Sequence, residues 1–283
     1  MKKLLAFILS LIMSLSVCFL VGCNNNGNRV LAVAIVPVQT FVKEVVKDKF
    51  EVVTAIPSGQ SPETYEPKPK EITLLNKAEI YFSIGIPNES VTITPNLNAK
   101  TKQVFLHEQL ISYGFKDRFF DSGARDPHVW LSVLRAIKCV EIIRDEVIKI
   151  DKENATFYTQ NANEYILKLT ALKTQLDNDF ANLSSDKKKV IVYHPSYGYF
   201  LDEYNLTMYA LEKDGHEITP KILSEMIEFA KANNVKKVFY QAQNSGVGAE
   251  AFASEIGGKA YMLDPLSGDY IDNIKKMANS FIE

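Results

Sequence analysis

The chain has 283 residues, 46% of them hydrophobic and 23% charged, with a formal net charge of −2. That length allows one large domain or two lobes with cores of their own, and the composition is that of an ordinary globular protein. The near-neutral charge argues against a nucleic-acid partner, because the longest basic run, Lys187–Lys189, reads as a solvated surface.

The chain opens on "MKKLLAFILSLIMSLSVCFLVGC", a positive n-region (Lys2, Lys3) followed by an apolar stretch from Leu4 to Leu20. This is the pattern of a secretory signal, placed at residues 1–22, and no other stretch is long and apolar enough to span a bilayer. It ends in Leu20-Val21-Gly22-Cys23, which resembles a bacterial lipobox and implies cleavage before Cys23 with lipid on its thiol. "CNNNGN", residues 23–28, then reads as the lipidated cysteine and a polar tether. With Cys18 in the leader and Cys23 at its end, Cys139 is the one cysteine left in the body, so no intramolecular disulfide can form. Its place in an apolar helical pattern marks it as a small core residue.

From Val30 onward strand-like and helix-like segments alternate. "VLAVAIV" (30–36), "EVVTAI" (51–56), "EIYFSI" (79–84) and "QVFL" (103–106) are short, apolar and mostly β-branched, as strands buried on both faces are. The theme returns in "KVIVY" (189–193), "LTMYA" (206–210), "KKVFYQ" (236–241) and "KAYML" (259–263). "TPKILSEMIEFAKANN" (219–234) is a helix with Thr219 as N-cap and Pro220 in its first turn. Between the two halves, residues 153–183 contain no Gly or Pro. Tyr158, Ala162, Tyr165, Leu169, Leu172, Leu176, Phe180 and Leu183 recur there at spacings of three and four, an apolar stripe on one long helix. At 1.5 Å per residue that helix spans roughly 45 Å. The fold expected is α/β: two (β/α) lobes with parallel sheets, residues 29–150 and 186–283, joined by a rigid linking helix over 153–184, with a site in the cleft between them.

In open α/β sheets ligands bind outside the carboxyl ends of the strands. Just past those ends stand Glu63 in "PSGQSPETYEP", His194 in "VIVYHPSYGYF" and Asp264 in "YMLDPLSGDY", and Asp126 and His128 in "GARDPHVW" follow a glycine turn. A proline flanks each candidate: Pro62, Pro127, Pro195 and Pro265. Singly, these residues have plain structural readings, such as a hydrogen-bonded histidine or an Asp-Pro turn. Jointly, two imidazoles and two carboxylates, Glu63, His128, His194 and Asp264, make a four-ligand site for Zn²⁺ or Mn²⁺, and the prolines limit how far the loops relax around the ion. In the first loop Tyr65, Glu66 and Pro67 are expected to hold the loop to its lobe. His107 and His216 lack the flanking proline and are left as surface residues.

The ordered set "PxGxxPExYEP", "DPHVWL", "NATFYTQNANEYILKL", "YHPSYGYF", "HEITPKILSEMIEFAK" and "LDPLSGDYIDNIKKM" resembles the solute-binding lipoproteins of bacterial ABC transporters for zinc and manganese, the ZnuA-like or cluster A-I type. The resemblance runs from about Val30 to the C-terminus and implies metal ligands at His128, His194 and Asp264. One position departs from it, since the family's first loop carries His where this chain has Glu63. The set becomes two nitrogen and two oxygen donors, harder than three imidazoles. His194 is the zinc-type choice at its position, which puts zinc ahead of manganese.

The function expected is capture of a divalent cation outside the cytoplasm and its delivery to a membrane permease, by a monomer that is not an enzyme. Its partners would be that permease with its ATPase, and the membrane through the lipid on Cys23. Two other readings are a secreted zinc-dependent hydrolase, against which stands the absence of a compact motif such as HExxH, and a metal-binding adhesin. Binding of a metal chelate such as haem would not need four metal donors.

Overall fold

The computed structural model describes residues 29–213 and 216–283; the leader, Cys23 and the tether lie outside the described residues. β1 (Val30–Val33), α1 (Val36–Val46), β2 (Glu51–Thr54), α2 (Pro69–Leu75), β3 (Ile80–Ser83), β4 (Lys102–Phe105) and α3 (Leu106–Ser112) build the first sheet and its helices. The strands pair in parallel in the order β2-β1-β3-β4, with Val33 beside Thr54 on one side and Phe82 on the other. Every residue of β1 and β3 is buried, as their unbroken apolar runs require.

Two helices come next, α4 (Val133–Ile150) and α5 (Ala155–Phe180). After them are β5 (Lys189–Val192), α6 (Gly198–Glu203), β6 (Thr207–Ala210), a short hairpin of β7 (Glu212–Lys213) and β8 (His216–Glu217), α7 (Pro220–Ala232), β9 (Lys237–Gln241), α8 (Val247–Glu255), β10 (Lys259–Leu263) and α9 (Tyr270–Ile282). The second sheet is also parallel, in the order β10-β9-β5-β6. Thr219 caps α7 by accepting from Ile222 N–H, as the sequence predicts, and Asn234 ends the segment with φ of 54°.

α5 has 26 residues, about 39 Å of helix, and its stripe from Tyr158 to Phe180 is buried throughout. It lies along α1 and α4 of the first half, and Phe180 at its far end stacks on Tyr204 and meets Phe200 edge-on in the second. The main core therefore runs unbroken from β1 through α1, α4 and α5 to Phe200 and Phe281. A smaller cluster, built on Ile191, Val238, Ala249 and Phe252, covers the other face of the second sheet. Cys139 is fully buried in α4.

One sequence expectation fails here. His107 is not a surface residue: its side chain is only 15% exposed and packs on Gly85. A Cβ at Gly85 would stand 2.3 Å from His107 Nδ1, and φ there is +87°, so only glycine fits. The side chain of His216 lies outside those described.

Candidate metal centre

Glu63, His128 and His194 each present a ligand atom to a common point, and the three atoms lie within 4.8 Å of one another. They come from three separate loops at the carboxyl ends of the strands. Glu63 lies beyond β2. His194 lies beyond β5, two residues past its end. His128 stands on the turn that leads into α4. The imidazole rings of His128 and His194 meet nearly edge-to-face, with centroids 5.5 Å apart. His194 Nε2 lies 2.8 Å from Glu63 Oε1, so the contact crosses from one half of the molecule to the other.

The space among these groups is small. A cavity of about 10 Å³ is lined by Glu63, His128, His194, Trp130, Pro265 and Leu266, among others. That is about the volume of one water-sized sphere. It suits a single ion.

Each imidazole is gripped from behind by a carboxylate. The fully buried Asp126 accepts from the His128 backbone N–H at 3.0 Å and lies 2.8 Å from its Nδ1. The other oxygen of Asp126 takes Arg118 Nη1 at 3.1 Å, and Arg118 Nε reaches Asp202 of α6. Gly198 lets the Arg118 guanidinium pass close to the backbone, since a Cβ there would stand 2.4 Å from it and the side chain would have to shift. On the other side, Glu212 Oε2 lies 3.0 Å from His194 Nδ1. Burial pushes the pKa of His194 down, but its hydrogen bonds and charge pairing with Glu212 and Glu63 outweigh that and raise it to about 9. Burial lifts the Glu63 carboxyl, and the hydrogen bond and charge of His194 reverse this and hold it below its ordinary range.

Asp264 stands outside the group of three. Its two side-chain hydrogen bonds both use Oδ1, one from Gln243 Nε2 at 2.8 Å and one from Leu266 N–H at 3.0 Å. Its neighbours Pro265 and Leu266 line the cavity. They are fixed to the first half by Trp130, whose Nε1–H donates to Pro265 O at 2.8 Å, and by Thr40, which donates to Gly268 O at 2.8 Å.

The first loop is braced, though not by all the groups expected. Tyr65 donates to Glu71, and Glu71 in turn accepts from Lys68 N–H. Asn88, which the sequence does not single out, donates to Tyr65 O at 2.6 Å and Pro62 O at 3.3 Å. Glu66 is exposed and takes no part in these hydrogen bonds. Sequence reasoning also misses Glu212. It stands on the second residue after β6 rather than beside a proline, and the one available signal is that β6 too must end at the ligand-binding edge of its sheet.

A family model described as "ZnuA: Zinc-uptake complex component A periplasmic" matches residues 31–283. The high-affinity zinc uptake system protein ZnuA of Bacillus subtilis (strain 168) is 31% identical over 249 residues, covering 82% of this chain and 76% of that protein. A crystal structure of ZnuA superposes with a TM-score of 0.83 at 31% identity, over 90% of this chain and 98% of that one. FpvC of Pseudomonas aeruginosa, solved in complex with Mn²⁺, superposes with a TM-score of 0.75 at 25% identity, over 90% and 97% of the two chains.

Proposed function

The chain belongs to the ZnuA family of zinc-uptake components, and from that premise we propose that Glu63, His128 and His194 hold its cargo, a divalent cation. The protein is the extracytoplasmic metal-binding component of an ABC transporter, with Zn²⁺ as the favoured ion and Mn²⁺ the alternative. The observation that carries the site is the convergence of three donors from three loops on a cavity of about 10 Å³. Two imidazoles and a carboxylate suit zinc, with room for manganese because the set is harder than three imidazoles.

Asp264 is the proposed fourth donor. Its Oδ1 is tied to Gln243 and Leu266, which leaves Oδ2 available to the ion. Glu63 is acidic and more exposed than His194, so an arriving cation meets a carboxylate before it meets that nitrogen. To bind, it takes the place of the proton that His194 shares with Glu63, and loading therefore releases a proton.

Delivery follows from the two-sided construction. Glu63 and His128 belong to the first half and His194 to the second, so drawing the halves apart separates the donors. We propose that a membrane permease, driven by its ATPase, does this. The lipid proposed on Cys23 would keep the loaded protein at the membrane; among the described residues no helix is long and apolar enough to cross one. Hydrolysis is not favoured, because the matching family is one of uptake components and the sequence has no compact metalloenzyme motif such as HExxH.

The test is metal content by mass spectrometry of residues 24–283, offered zinc and manganese together. One equivalent of zinc is expected in the wild type and well under half an equivalent in His128→Ala or His194→Ala, whose remaining donors bind zinc weakly. Full occupancy in both variants would remove the site from these residues.

A further inference from the structure

Glu212 opens the hairpin after β6, and its side chain is 14% exposed. It touches His194 at Nδ1, while Glu63 faces Nε2 of the same ring. One imidazole thus has a carboxylate at each nitrogen, and the two carboxylates occupy different surroundings. Glu63 lines the small cavity. Glu212 does not; it lines a separate groove of about 340 Å³ with Arg118, Phe119, Pro195 and Ile222. His128 is treated alike, with the buried Asp126 at its Nδ1. The two histidines that converge on the cavity are therefore each backed by an acid from their own half.

Taking the metal site proposed above as given, we infer that Glu212 is the positioning residue of His194 and not itself a ligand. It accepts the Nδ1–H hydrogen bond, which fixes the ring and its tautomer so that the Nε2 lone pair points at the ion. The chemistry requires such a group. A neutral imidazole carries one proton, and a ring with that proton on Nε2 cannot coordinate from Nε2. An acceptor at Nδ1 removes that competing form and makes Nε2 a stronger donor. Asp126 does the same for His128 from a site locked by Arg118. Glu212 does it from a hairpin.

The experiment compares wild type, Glu212→Ala, Glu212→Gln, His194→Ala and the double variant His194→Ala/Glu212→Ala. Zinc affinity is measured by competition with a chromophoric chelator. Long-range ¹H–¹⁵N spectra of the zinc-loaded proteins show which nitrogen of His194 carries the proton. Glu212→Ala is expected to weaken zinc binding roughly 10- to 100-fold and to broaden or remove the Nδ1–H signal of His194. Glu212→Gln, whose amide oxygen still accepts, should stay within a few-fold of wild type. In the His194→Ala background, removing Glu212 should change nothing further. The inference is overturned if Glu212→Ala binds zinc within twofold of wild type with its His194 signal unchanged. It is equally overturned if removing Glu212 costs as much affinity without His194 as with it, since Glu212 would then act on its own. A wild-type chain that takes up no zinc sinks the metal-site reading first, and this inference with it.

Discussion

α1 and α7 are both amphipathic helices laid on a face of a parallel sheet, yet they are held very differently. α1 buries Pro37, Val38, Phe41, Val42, Val45 and Val46, and Phe41 packs edge-on against Tyr270 with centroids 4.8 Å apart. α7, with 13 residues, buries only Ala230; Ile222 and Leu223 are exposed. A cavity of about 230 Å³ lies between α7 and α8, lined by Leu223, Ile227 and Phe252, and the Glu212 groove lies at its first turn. The same contrast runs into the metal centre. His128 leans on a fully buried aspartate, and His194 on a glutamate at the mouth of the hairpin that leads to α7. One half of the site is set by core packing, the other by a thin outer layer of lower local stability.

Truncating an apolar residue in each helix should show how differently they are seated. Phe41→Ala should cost about 3–5 kcal/mol, the range for deleting a fully buried aromatic ring. Ile227→Ala, at a half-buried position beside an existing cavity, should cost about 1 kcal/mol or less, because little packing is lost. Urea unfolding of the two variants measures both, and equal losses would mean that α7 is seated as firmly as α1.

The carboxylates on either side of His194 also set how the protein responds to pH. The pKa of His194 is raised to about 9, above the ordinary 6.5, because a protonated ring satisfies both Glu212 and Glu63. For the metal-free protein the sign is fixed. This contribution to stability is full below pH 6.5 and is lost as pH rises through about 9. Zinc needs the neutral ring, so its apparent affinity should do the reverse, rising roughly tenfold per pH unit between about 6.5 and 9 and levelling above that. Isothermal titration in buffers of different ionisation enthalpy measures affinity and proton release together. A plateau from pH 7 upward would show that His194 is already neutral there.

Much of this is legible in the sequence, for reasons that differ by element. β1, β3 and α5 announce themselves because burial on both faces, or along one stripe, leaves a periodic apolar record. The candidate site residues are legible through topology: a strand that ends at a ligand-binding edge marks the residues just past it, and Glu63 and His194 stand there, with His128 on the turn into α4. Asp264 is found by the same rule, yet it stands outside the group of three, because a position in the chain does not tell which way a carboxylate turns when Gln243 and a backbone N–H compete for it. Asn88 and Glu212 leave no mark, since their partners are 23 and 18 residues away and only the folded chain brings them together. His107 misleads because its burial depends on Gly85 having no side chain.

Glu63→Ala gives a smaller effect than the loss of either histidine. Its side chain is 38% exposed, and water can take its place on the ion. A loss of roughly tenfold in zinc affinity is expected, about 1.4 kcal/mol. Glu63→His should instead favour zinc over manganese, because a third imidazole softens the set. Competition of the two ions for each variant tests both statements, and an unchanged affinity in Glu63→Ala would leave the carboxylate out of the shell.

Trp130 ties the His128 turn to the Asp264 loop, and loosening it should cost little. Trp130 is buried, its Nε1–H donates to Pro265 O, and its carbonyl accepts from Tyr270 OH at 2.7 Å, so one residue joins the His128 turn to the Asp264 loop. Trp130→Phe keeps an aromatic ring in the core and removes the donor, leaving a buried carbonyl without that partner. The expected cost is about 1 kcal/mol in stability, in the range of a single neutral hydrogen bond. Because Pro265 lines the cavity, the same substitution should weaken zinc as well, by a few-fold. Tyr270→Phe serves as the control: it removes a hydrogen bond to the same tryptophan but none to the Asp264 loop, so it should lower stability by a similar amount and leave zinc affinity alone. If both variants weaken zinc equally, the tie that sets the cleft is the packing of α9 and not the bond from Trp130 to Pro265.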